Sequence, residues 1–84
     1  MSNPFLYIEM DLWLLHPLEP DVPEERYAKA LSSSLTLLES MPEKRVKALH
    51  AQLLLLVAQD DRQKIYETLS AFVGIELYAK DFNK

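Results

Sequence analysis

Eighty-four residues make one small domain, because a separate domain ordinarily takes about 100 residues or more. The chain is 49% hydrophobic and 26% charged, carries a net charge of −4 and has no cysteine. That balance excludes intrinsic disorder, a disulfide scaffold and any cysteine-ligated zinc or iron–sulfur centre.

Sixteen leucines and a single glycine, Gly74, set the fold class. Leucine favours helix, and a glycine-poor chain has few sites for the positive-φ turns of tight hairpins. The expectation is an all-α protein. It is read as a small three-helix bundle with helices near 23–41, 43–59 and 61–80. Residues 1–84 form a single helical domain, with 1–22 as a distinct acidic N-terminal arm and Pro-rich connector.

The N-terminal segment 4–15 admits two readings. As a helix it uses Ser2 or Asn3 as cap and Pro4 as first helical residue. Glu9 and Asp11 then lie about 200° apart around the axis. As an extended arm or strand, alternation puts Ile8, Met10, Leu12 and Leu14 on one face. Tyr7, Glu9, Asp11 and Trp13 then share the other. Such a strand has no partner elsewhere in the chain. The stretch Phe5–Leu15 also lacks the basic flank of a secretory signal and is broken by Glu9 and Asp11. The run Leu53–Val57 is far short of the roughly 20 residues of a membrane span. A soluble protein of the cytoplasm is the expectation.

Pro17, Pro20 and Pro23 mark a stiff connector, since proline removes a donor and extends its predecessor. Pro23 with Glu24 and Glu25 reads as a helix start, the acids complementing the helix dipole. Tyr27, Leu31, Leu35, Leu38 and Met41 then trace one helical stripe. Ser32, Ser33, Ser34 and Thr36 suit an exposed side or a close neighbouring helix. Ser40 or Met41, Pro42 and Glu43 open the next helix, whose core stripe is Val46, Leu49, Leu53 and Leu56. Ala48, Ala51, Leu54, Leu55 and Ala58 cover much of the opposite side, which predicts a helix that is central, or one that faces the core on one side and a second subunit on the other. Asp60 or Asp61 caps the last helix, which carries Ile65, Leu69, Phe72 and Val73. Gly74 inside it predicts close packing or a bend, and the chain frays at 81–84.

Chemistry-bearing motifs are scarce. No Gly-rich phosphate loop or nucleophile triad is present. His16 near Glu19 and Asp21 matches no metal-ligand spacing, and His50 reads as a packed or surface histidine. Glu24/Glu25 and Asp60/Asp61 are explained by helix starts. No catalytic residue, metal or cofactor is therefore assigned.

The acids are unevenly spread. Residues 1–25 hold six acids and no Lys or Arg, whereas 26–84 hold nine bases against seven acids. The aromatic content and surplus leucine exceed what so small a domain comfortably buries, since it hides only about 60% of its unfolded surface. The leading expectation is a non-catalytic protein–protein interaction module: an adaptor, assembly subunit, chaperone-like partner or inhibitor. Its partner-binding residues are Tyr7, Glu9, Asp11, Trp13 and Leu15. Its oligomer interface is Ala51, Leu54, Leu55 and Ala58, for a homodimer or another protein partner. One alternative is a small DNA-binding regulator using Lys44, Arg45 and Lys47, which the acidic N-terminal end opposes. Another is a mobile-element inhibitor that mimics nucleic-acid charge.

Overall fold

The computed structural model describes residues 3–18 and 21–78. Ser2, Glu19, Pro20, Phe82 and the fraying expected at 81–84 lie outside these residues. The described residues form four α-helices: α1 (Pro4–Asp11), α2 (Glu24–Glu39), α3 (Lys44–Ala58) and α4 (Arg62–Leu77). A 3₁₀ turn, Leu12–Leu15, continues α1.

The N-terminal segment is helical, so the strand reading is set aside. Asn3 Oδ1 accepts from the Phe5 amide at 2.9 Å, and Pro4 occupies the first helical position. A helix satisfies its backbone groups internally, whereas a lone strand leaves a row of them unpaired. The notion of an arm is also corrected. Residues 4–15 pack against α2 and α4, with Phe5, Ile8, Leu14 and Leu15 in the common core. The Phe5 and Phe72 rings sit 5.8 Å apart across the α1–α4 contact.

The three long helices fall where the periodicity puts them, with their ends one to three residues inside the expected bounds. Pro23 is the cap of α2 rather than its first residue, in an extended conformation (φ −63°, ψ 150°). Its carbonyl accepts from the Arg26 and Tyr27 amides at 3.0 Å. Glu43 plays the same role for α3, whose first turn bonds back to its carbonyl. Asp61 caps α4 with its side chain, accepting from the Lys64 amide at 3.1 Å. The last helix is described to Leu77, and the expected continuation through 79–80 lies outside the described residues.

The α3–α4 corner shows how a glycine-poor chain reverses. Asp60 adopts φ 54°, the left-handed conformation that ordinarily selects glycine but that Asp tolerates. Its amide donates to the Val57 carbonyl at 3.0 Å, and the Asp61 amide donates to Leu56 at 3.1 Å. These two bonds satisfy carbonyls that the helix end would otherwise leave open.

Neighbouring pairs close a ring: α1 on α2, α2 on α3, α3 on α4 and α4 on α1. The α1 and α3 backbones do not approach each other, and α2 and α4 meet through side chains, with Arg62 reaching Glu24 and the Tyr27 ring. The core fills the middle of the ring. Val46, Leu49, Leu53 and Leu56 of α3 are buried as the spacing predicts, with Ile65, Leu69 and Val73 of α4. On α2 the stripe is rotated slightly: Ala30 and Ser34 are buried, while Leu31 and Leu35 are only half-buried. The expectation that α3 is central is not met within one chain. Its second apolar side faces outward.

Candidate interaction interface

Once residues 4–11 are a helix, side-chain directions follow from about 100° per residue. Phe5 and Ile8 point into the core. The opposite side carries Leu6, Tyr7 and Met10, and Trp13 extends it on the 3₁₀ turn. These four are 47%, 51%, 67% and 52% exposed, so the outward surface of the segment is almost wholly apolar. The Arg26 guanidinium lies 5.7 Å from the Trp13 ring and flanks one edge of the patch.

The five residues expected to bind a partner do not form one surface. Tyr7 and Trp13 belong to the apolar patch. Glu9 and Asp11 are half-buried on opposite flanks of α1. Glu9 faces α4, where Tyr78 donates its hydroxyl to Oε1 at 2.5 Å. That bond holds the Tyr78 phenol above its ordinary pKa. Asp11 borders an open groove of about 530 Å³ between α1 and α2, shared with Tyr7, Ser33, Thr36 and Leu37. Leu15 is 0% exposed, a core residue that no partner can touch. A two-residue alternation places Leu15 beside Trp13, whereas the helical path turns it inward. Leu6 and Met10 are the residues the alternating pattern misses, and a helical projection of 4–11 finds them.

A second apolar surface lies on the far side of the ring. Ala51, Leu54, Leu55 and Ala58, the candidate oligomer residues, are all exposed on α3, together with Ala48. Leu54 and Leu55 are 48% and 65% exposed. Beside this face, α3 and α4 enclose an apolar groove of about 370 Å³ bordered by Ala48, Gln52, Ala71 and Ile75.

The polar clusters are engaged in holding the bundle. Arg62 forms a two-pronged bond to Glu24, at 2.8 and 2.7 Å, and its guanidinium lies 4.0 Å over the Tyr27 ring. The Arg62 hydrogen bonds hold the Glu24 carboxyl below its ordinary range. Burial pushes the Tyr27 phenol up, with the nearby Arg62 charge opposing. The Tyr27 hydroxyl finds no hydrogen-bond partner among the described residues. Arg45, the middle of the basic cluster, is bound through two nitrogens to Glu76 at 3.1 and 2.6 Å. With Arg45 exposed but paired, Lys44 and Lys47 are the other exposed cations of the cluster, which leaves little for a phosphate backbone.

His16 accepts from the Leu18 amide on Nδ1 at 3.1 Å and packs edge-on against Tyr66, with 4.7 Å between rings. Asp21 is exposed, and Glu19 lies outside the described residues. His50 Nε2 lies 3.9 Å from Glu39. Among the described residues no three His, Asp or Glu side chains are grouped to hold a metal ion. No described helix is long and apolar enough to cross a membrane. Comparison with known proteins gives no match, whether to a family model, to a curated protein or to a solved structure.

Proposed function

We propose that this chain is a non-catalytic protein-interaction module whose docking surface is the outward side of α1 and the following turn. The observation that carries the reading is the exposure of four large apolar side chains, Leu6, Tyr7, Met10 and Trp13, along α1 and the turn that follows it. A tryptophan and a tyrosine among flexible apolar side chains are the residue types that dominate binding energy when a partner desolvates them. The acids flank this patch instead of forming it. With Arg26 beside Trp13 and Glu9 held by Tyr78, the border of the patch is mixed in charge, so the apolar side chains carry the contact. An adaptor, assembly subunit or inhibitor working in the cytoplasm fits this surface, and no step of catalysis is assigned to it.

Affinity capture from the native cell, with the full chain as bait, tests the reading. Wild-type protein is expected to retain a stoichiometric partner that Trp13→Ala loses, while far-UV circular dichroism of the two baits stays the same. Equal recovery by both baits would contradict it.

A further inference from the structure

The outer side of α3 carries a pattern that the α1 surface does not explain. Lys44, Ala48, Ala51, Leu55 and Ala58 follow one another at steps of four, three, four and three. All five are exposed, on the side of α3 away from the core. Such spacing is the seam of a two-helix coil, and it is already continuous over four turns. Its middle is alanine, so a facing helix can approach to about 8 Å. Its two ends differ in charge. Lys44 and Lys47 stand at the start of the helix, after the exposed cap Glu43, and Asp60 stands just past the end, 3.7 Å from Arg62 Nε but with a side chain 86% exposed.

We propose that this face pairs, antiparallel and two-fold, with the same face of a second copy of the chain. The inference rests on the interaction role proposed above but concerns a different surface and names its occupant. Charge selects the occupant and its direction. In a parallel pair Lys44 meets Lys44, and Asp60 meets Asp60. In an antiparallel pair with its two-fold axis at Ala51, Lys44 comes level with Ala58 of the second copy. Asp60 of that copy is then about 3 Å further along, within reach of a lysine side chain. Each two-fold pair makes this contact twice. Antiparallel helix dipoles act in the same sense.

The flanks are consistent with the same register. Leu55 of the second copy comes level with Lys47 and Ala48, at the mouth of the groove bordered by Ala71 and Ile75. Leu54 of that copy falls on the other flank, where the methylene stem of Lys47 covers it and the ammonium reaches water. Arg45 is not needed for the pairing, because Glu76 already holds it.

The absence of cysteine makes the test direct. Sedimentation equilibrium of the full chain is expected to show a reversible monomer–dimer equilibrium at roughly 10–100 µM, the weak range of a one-helix interface. Ala51→Glu should abolish the dimer with helicity unchanged, since it places two carboxylates at the axis. Lys44→Glu should weaken it about tenfold, because two ion pairs become repulsive contacts. Under mild oxidation Ala51→Cys should cross-link efficiently. Ala58→Cys should not, its two sulfurs standing about 20 Å apart.

A wild-type chain that stays monomeric throughout overturns the pairing and leaves the α1 surface to be judged by Trp13→Ala alone. Cross-linking of Ala58→Cys as readily as Ala51→Cys overturns the antiparallel arrangement. An Ala51→Glu chain that still dimerises overturns the assignment of the face.

Discussion

Tyr27 concentrates the physical chemistry of single residues in this bundle. Its ring is buried to 8% exposure and carries the Arg62 guanidinium, while its hydroxyl has no hydrogen-bond partner among the described residues. An unpaired buried hydroxyl costs on the order of 1–3 kcal/mol. Tyr27→Phe keeps the ring and the cation, and is expected to leave thermal stability equal or higher. A drop of more than about 1 kcal/mol in a denaturant titration would show that the hydroxyl is bonded after all. The same change bears on alkaline pH. The folded-state pKa values of Tyr27 and Tyr78 are raised above the ordinary 10.0. Their contribution to stability is therefore complete below that value and is lost as pH rises through the folded values. Tyr27→Phe should be less sensitive to alkali than the wild type.

Glu24 gives the opposite slope. Its folded pKa lies below the ordinary 4.5, because Arg62 donates to the carboxylate. That contribution is present above the unfolded pKa and disappears as pH falls through the folded value. Melting temperature measured between about pH 3 and pH 7 should fall on the acid side, and Glu24→Gln should flatten that fall. An unchanged acid limb would mean that other carboxylates carry it.

At the scale of the element, α4 offers a clean measurement. Gly74 lies within α4, and a Cβ built there meets nothing within 4 Å. The expectation of close packing at this position therefore finds no support, and an open helical site remains. Gly74→Ala is expected to stabilise the chain by about 0.5–1 kcal/mol, from helix propensity and the smaller entropy of the unfolded chain. A destabilised variant in chemical denaturation would show that the position is crowded.

The contrast between α3 and α1 explains what was legible from sequence. Over fifteen residues α3 repeats its pattern four times, so Val46, Leu49, Leu53 and Leu56 identify the core and their opposites identify the exposed side. Asp61 and Asn3 announce their caps through side-chain chemistry. By contrast, α1 has eight residues and is apolar nearly all round, so two periodicities fit it equally. Only the packing of Phe5 and Ile8 against α2 and α4 decides between them. The same ambiguity sets Leu15 beside Trp13 and leaves Leu6 and Met10 off the expected binding face. The engagement of Arg45 by Glu76, 31 positions away, has no local signal at all.

For the whole molecule, the ring of four helices sets the geometry of association. The α1/α3 diagonal puts the two exposed apolar surfaces on opposite sides of the bundle. A dimer through α3 leaves both α1 surfaces free, so one assembly can present two partner sites at once. Ala51→Glu should then lower the avidity of partner capture without altering the affinity of a single α1 site. Surface plasmon resonance with sparse and dense immobilised partner separates the two. Equal losses at both densities would mean that the faces are not independent.

The docking role of α1 is the central claim, and calorimetric titration of the captured partner with wild-type and Trp13→Ala chains tests it most directly. The expected result is a negative heat-capacity change for the wild type and a loss of about 2 kcal/mol or more of binding free energy in Trp13→Ala. Identical affinities in the two titrations would contradict the claim, as would a heat-capacity change near zero.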